Sequence, residues 1–245
     1  MPSLLKQMPR ARGPLRRVVL LPDHLFFARV VALSGEGDAA VARSEAELAL
    51  EALSPFPLAQ LYYGYFRVPG GDRALVYAAY RRRFTSEMAA EWRDADLVLP
   101  AFAAVLGSGH PMGGTWLMHS EGSLVALRWD GGAVPADVIV RSVPQEEARA
   151  AVRDALLLEL TAGEHIRELH EPPALEADKS GPAFTFTAGE NTFVLGAEQA
   201  AEMDVRDKGE LQQLRRAQAR DRGLWRMFLV CLAAIGVALA GELTL

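Results

Sequence analysis

The segment Arg17-Val-Val-Leu-Leu-Pro-Asp-His-Leu-Phe-Phe-Ala-Arg-Val30 sets two apolar runs on either side of Pro22-Asp23-His24. Valine, leucine and phenylalanine at this density suit extended backbone, and a Pro-Asp pair suits a tight turn. Val18 to Leu21 and Leu25 to Leu33 are therefore expected as the two strands of an opening β-hairpin. The same segment excludes a secretory signal, because the apolar stretch after Arg10, Arg12, Arg16 and Arg17 ends at Leu21. Residues 1–16 are basic, contain Pro9 and Pro14, and hold no sustained period, so they read as a mobile tail.

Downstream, hairpins and helices follow one another. Ser44 with Glu47 makes a Ser-x-x-Glu capping pattern for a helix over about 45–53, ended by Ser54 and Pro55. Leu61 to Val68 carries Tyr62, Tyr63, Tyr65 and Phe66 and turns through Pro69-Gly70-Gly71-Asp72 into Ala74 to Tyr80. Alternation sends half of these aromatics to the core and leaves half for solvent or a partner. Thr85 caps a short helix to about Arg93. Leu97 to Leu106 leads into the glycine-rich stretch Gly107 to Gly114, read as the connector between a first lobe, 17–106, and a second, 107–205. The second lobe opens with strands Thr115 to Met118, Ser123 to Trp129 and Val134 to Val140, with His119 to Gly122 as a turn. Pro144 then starts a helix over Gln145 to Leu160, where Ala148, Val152, Leu156 and Leu160 recur every fourth residue. A last hairpin spans Phe184 to Leu195, and a helical pattern resumes at Gly209. The fold class is α/β with mixed sheets.

Composition narrows the function. With 245 residues, half of them hydrophobic, and a net charge of −5, the chain can bury a sizeable core and carries no general basic face for nucleic acid. Cys231 is the single cysteine, so no intramolecular disulfide forms and no oxidising compartment is required.

The C-terminal run 224–241 contains one charge, Arg226. Its uncharged part rises roughly 22 Å as a helix, and Leu224 and Trp225 with a snorkelling Arg226 extend it to roughly 27 Å, against a hydrocarbon core of about 30 Å. Leu243 and Leu245 can supply the remainder. A thin single span fits, anchored by Leu224, Trp225, Met227, Phe228 and Leu229, and deeper by Val230, Leu232, Ile235, Val237 and Leu239. An apolar helix buried in a soluble core also suits the small residues of the run. The flank favours the span: Arg215, Arg216, Arg220, Arg222 and Arg226 crowd its N-terminal side, opposed locally by Asp221. By the positive-inside rule the residues before the span stay in the cytoplasm, and 206–223 becomes a basic juxtamembrane helix facing lipid headgroups.

No catalytic or metal centre is expected. His165 and His170 are five apart, on different faces of a helix, and no cysteine or carboxylate cluster completes a metal set. Gly107 to Gly114 lacks the Gly-Lys-Ser/Thr ending of a P-loop. His119, Ser120 and Ser123 lie outside any Gly-x-Ser-x-Gly elbow, so His119 is read as a turn residue.

Three stretches carry a family resemblance: Arg17 to Val30; Ala46-Glu-Leu-Ala-Leu-Glu-Ala-Leu-Ser-Pro-Phe-Pro57 before Leu61-Tyr-Tyr-Gly-Tyr65; and Gly114-Thr-Trp-Leu-Met-His-Ser-Glu-Gly-Ser-Leu-Val-Ala-Leu127. With the arginine-rich helix and span, the chain resembles the cytoplasmic half of the L component (GspL type) of the type II secretion assembly platform. It is also similar to PilM of type IV pilus machines. Both have the actin-like fold, so the resemblance implies two actin-like lobes followed by a single-pass anchor in the bacterial inner membrane. It implies a non-catalytic role: docking a secretion or pilus ATPase beside other inner-membrane platform proteins, with a homodimer left open.

Actin-like ATPases bind phosphate through an acidic, glycine-containing turn in each lobe. Here Pro22-Asp23-His24 lacks the glycines, and His119-Ser120-Glu121-Gly122 has histidine at the acidic place. Asp23 alone matches and is the one weak cofactor-binding candidate. No cofactor is therefore expected, and the alternatives are an ATP-binding protein of the PilM type or a soluble interaction module with an apolar docking helix. In the L component a periplasmic domain follows the span, whereas Glu242 to Leu245 alone follow it here, so the resemblance implies either that the chain continues past Leu245 or that the match to the family is incomplete.

Overall fold

The computed structural model describes residues 16–35, 38–92, 95–107, 113–160, 165–176, 183–209, 211, 224–225 and 227–228. The first half runs β1 Val18–Leu21, β2 Phe27–Ala32, α1 Ala39–Leu53, β3 Leu61–Arg67, β4 Arg73–Tyr80, α2 Ser86–Glu91 and β5 Leu97–Pro100. The second half runs β6 Gly114–Ser120, β7 Ser123–Trp129, β8 Asp137–Ser142, α3 Arg149–Glu159, β9 Ile166–Leu169, β10 Ala174–Leu175, β11 Phe184–Ala188, β12 Asn191–Leu195 and α4 Ala197–Met203.

The opening hairpin does not form. β1 pairs in parallel with β5, Val18 opposite Leu97 and Leu21 opposite Pro100, while β2 pairs antiparallel with β4. The sequence signal was present: Val-Val-Leu-Leu is apolar at every position, as expected of a parallel strand covered on both faces, whereas a hairpin strand with one wet face would alternate. Between the two strands, Asp23–Leu25 forms a single 3-10 turn.

The first antiparallel sheet has the order β2-β4-β3, and the expected hairpin through Pro69 to Asp72 is its β3–β4 pair. α1 covers one face, burying Ala46 and Leu50 against Leu61, Tyr65 and Val76. Its cap is Asp38, whose Oδ1 accepts from the Ala40 and Val41 amides at 2.9 and 3.0 Å. Ser44, expected as the cap, sits one turn inside and donates back to the Ala40 carbonyl, and Glu47 is engaged by Arg43 and the Tyr63 hydroxyl. Of the aromatic group on β3, Tyr65 and Phe66 are buried; Tyr62 packs edge-on against Phe84 and Trp92. Thr85 caps α2 as expected, accepting from the Met88 amide at 3.3 Å.

The second sheet has the order β8-β7-β6-β9: three antiparallel strands, then α3, then a strand returning parallel to β6. α3 packs Leu156 and Leu160 on Leu117, Leu124 and Ala126. Several boundaries move. β8 starts at Asp137, because Pro135 has no amide for a ladder bond. The segment after Pro144 makes a 3-10 turn, Glu146–Ala148, before α3 begins at Arg149. His119 and Ser120 are strand residues of β6, leaving Glu121 and Gly122 as the turn. His165 and His170 flank the strand β9, so the segment between them is extended and not helical.

A small sheet, β10-β11-β12, contains the predicted last hairpin. One large apolar cluster joins β1, β5 and the 3-10 turn Ala101–Val105 to Trp116, Met118, Phe186 and Phe193 of the second half. α4 closes on β3 and β4, where the Tyr77 hydroxyl donates to the Met203 carbonyl at 2.6 Å.

Residues 206–245 form a separate unit. Within it Leu224, Trp225, Met227 and Phe228 are helical and exposed. Among the described residues no helix is long and apolar enough to cross a membrane. The other expected anchor residues, Leu229, Val230, Leu232, Ile235, Val237 and Leu239, lie outside the described residues, as do Arg215, Arg216, Arg220, Arg222 and Arg226.

Candidate functional site

The turn after β1 and the turn between β6 and β7 meet. Asp23 is fully buried at the contact. Its Oδ2 accepts from the Ser120 hydroxyl at 2.6 Å, and its Oδ1 from the Phe102 amide at 3.0 Å. Beside it, a Cβ on Gly122 (φ 68°) would lie 3.6 Å from His24 Nδ1, so the His24 ring of the first turn packs on the second. Burial pushes the Asp23 carboxyl up to about 6, and the bonds from Ser120, Phe102 and Ala101 pull against that rise. A carboxylate with both oxygens engaged and no solvent face cannot meet a phosphate without breaking these bonds. It can act as a bracket between three segments: the first turn, the 3-10 turn after β5, and the end of β6.

Successive strand residues point to opposite faces. Ser120 faces Asp23, and His119 therefore faces away, its Nε2 lying 3.1 Å from Glu168 Oε2. The two never form a nucleophile and base. Glu168 in turn receives Arg153 through Oε1, which holds its carboxyl below the usual range. His170 Nε2 stands 3.9 Å from the same Oε2, and the two imidazole centroids are 4.5 Å apart. His165, five residues before His170 and expected on a different face of a helix, lies beyond the other end of β9, where its carbonyl accepts from the Thr115 amide. The pairing with His119 was invisible because it depends on the parallel β6–β9 register, Leu117 opposite Glu168.

The glycine-rich connector begins with Gly107 pressed on β12: a Cβ there would fall 2.0 Å from the Val194 carbonyl oxygen. Gly113 and Gly114 have φ of 71° and 115°, conformations that glycine permits. The intervening residues 108–112 lie outside the described residues.

No family model and no curated protein matches the sequence. Among solved structures the chain is similar to the cytoplasmic domain of EpsL, an inner-membrane component of the type II secretion system of Vibrio cholerae. The identity is 16%, over 66% of this chain and 65% of that one, with a TM-score of 0.43. It is similar to a Bacteroides thetaiotaomicron protein of actin-like ATPase fold and unknown function, at 8% identity over 62% and 58% and a TM-score of 0.41. It is similar also to the PilM–PilN type IV pilus biogenesis complex, at 19% identity over 60% and 48% and a TM-score of 0.38. The match spans less than two thirds of each of these structures. The two families named from the sequence are thus both among its structural neighbours.

Proposed function

We propose that this chain is a non-catalytic assembly-platform protein of a type II secretion or type IV pilus system, built on two actin-like lobes. The observation that carries the reading is Asp23: in place of an open phosphate cradle, the two turns are bonded to each other through its buried carboxylate. A nucleotide phosphate would have to displace both the Ser120 hydroxyl and the Phe102 amide, and would place its own charge against that carboxylate. The β6-β7-β8 meander followed by α3 and the parallel strand β9 supports the actin-like assignment of the second lobe. On this reading the lobes dock the secretion or pilus ATPase and other platform proteins on the cytoplasmic side of the bacterial inner membrane. The run 224–241 is the single-pass tether, oriented by Arg215, Arg216, Arg220, Arg222 and Arg226. A homodimer is compatible with this role.

The test uses the full chain reconstituted in anionic-lipid vesicles. It is expected to stay with the vesicles through alkaline carbonate, to bring the purified ATPase of the same organism into the floating fraction, and to give no heat on titration with magnesium-ATP. Tight, magnesium-dependent ATP binding would replace this reading with that of a PilM-type nucleotide-binding protein. Release by carbonate would make the chain a soluble interaction module.

A further inference from the structure

We propose that His119, Glu168 and His170 form a binding site for a divalent transition metal of the zinc type, with the remaining coordination positions open to water. The three residues share one face of two adjacent parallel strands: Glu168 and His170 are two apart along β9 and its end, and His119 is two residues beyond Leu117, the register partner of Glu168. Their candidate donor atoms lie within 4.8 Å of one another. Donors held about 2.1 Å from a tetrahedral ion are separated by roughly 3.4 Å. His119 Nε2 and His170 Nε2 lie 3.1 and 3.9 Å from Glu168 Oε2, on either side of that spacing.

The carboxylate is also prepared for this task. Arg153 of α3 holds Glu168 through Oε1, which anchors the group and leaves Oε2 turned to both imidazoles. An outer partner of this kind is what orients a ligating carboxylate in a built site. Two imidazole nitrogens and one carboxylate oxygen suit zinc, cobalt, nickel or copper, and not magnesium or calcium, which take all-oxygen sets. His170 is the informative residue: its side chain is 71% exposed, and its contacts at the site are Glu168 and the neighbouring imidazole. The competing description is an ion pair between His119 and Glu168 with His170 beside it, which needs no metal.

The experiment is equilibrium dialysis of the full chain, without a histidine tag and in detergent, against zinc, with cobalt absorption as a second readout. One zinc per chain at micromolar or tighter affinity is expected, together with the intense visible bands of four- or five-coordinate cobalt. His170→Gln, at an exposed position, is expected to keep the native circular dichroism and to weaken zinc binding by about 100-fold or more, beyond the range seen when an outer partner alone is lost. His119→Gln should do the same. Failure of the wild-type chain to retain zinc, or unchanged affinity in His170→Gln, overturns the proposal and leaves the ion pair.

Discussion

Asp23 is a single side chain whose burial has a measurable consequence. Its carboxyl ionises near 6 in the folded chain, because burial outweighs the bonds from Ser120, Phe102 and Ala101. In the unfolded chain it ionises near the ordinary carboxylate value. The folded state therefore holds the proton more tightly, and the stabilisation this gives is full at pH below about 4 and lost as the pH rises through about 6. The gap corresponds to about 3 kcal/mol at most. Asp23→Asn keeps the shape, its amide oxygen can accept from Phe102, and its amide nitrogen can donate to Ser120. We predict that urea midpoints of the wild type fall between pH 4 and pH 6 while those of Asp23→Asn change less over that window. At pH 7 the variant is at least as stable as the wild type. A variant as pH-sensitive as the parent would show that another group carries the titration.

At the scale of elements, Gly64 on β3 decides how closely α4 can approach. A Cβ there would stand 2.3 Å from the Met203 carbonyl oxygen and 2.8 Å from the Tyr77 hydroxyl, so a methyl would collide with backbone and part the Tyr77–Met203 bond together. Gly64→Ala is predicted to cost about 3 kcal/mol, with overpacking contributing about 2 and the lost buried bond about 1. A denaturant midpoint within about 0.5 kcal/mol of wild type would mean that α4 can slide away. α4 was also missed from the sequence: Ala197–Met203 has no side-chain cap among Ser, Thr, Asp or Asn, only Gly196. Elements with local signals were legible, as in the β3–β4 and β11–β12 hairpins with their glycine turns and the Thr85 cap of α2. Those set by partners distant in sequence were not. β1 chose β5, and β9, four residues with an exposed start, exists because the β6 edge is there to receive it. The candidate site divided the same way. Asp23 was legible from its turn, but its bonds to Ser120 and Phe102, and the approach of His119 to His170, follow from tertiary register.

At the scale of the whole molecule, the question is whether residues 17–106 and 107–205 behave as two units or one. Among the described residues, two ion pairs join the halves. Arg73 grips Asp130 through two bonds of 2.8 and 2.9 Å, holding the Asp130 carboxyl down to about 2, and Arg67 holds Glu202 at 2.8 Å. With Asp130 44% exposed, the first of these contributes no more than about 1 kcal/mol. The apolar cluster contributes far more. Leu97, Leu99 and Phe102 from one half and Trp116, Met118 and Phe193 from the other are all nearly inaccessible, and burying each such side chain is worth about 1.5–3 kcal/mol. Separating the halves would open this shared cluster, so the two are predicted to unfold together. The tryptophans make this visible: Trp92 is buried in the first half, Trp116 and Trp129 in the second. In a Trp225→Phe background, the fluorescence of Trp92 alone and of Trp116 with Trp129 is predicted to follow one urea transition with the same midpoint and slope. Two resolved midpoints would mean that each lobe carries a sufficient core of its own, and that the cluster joining them is a docking interface between independent domains.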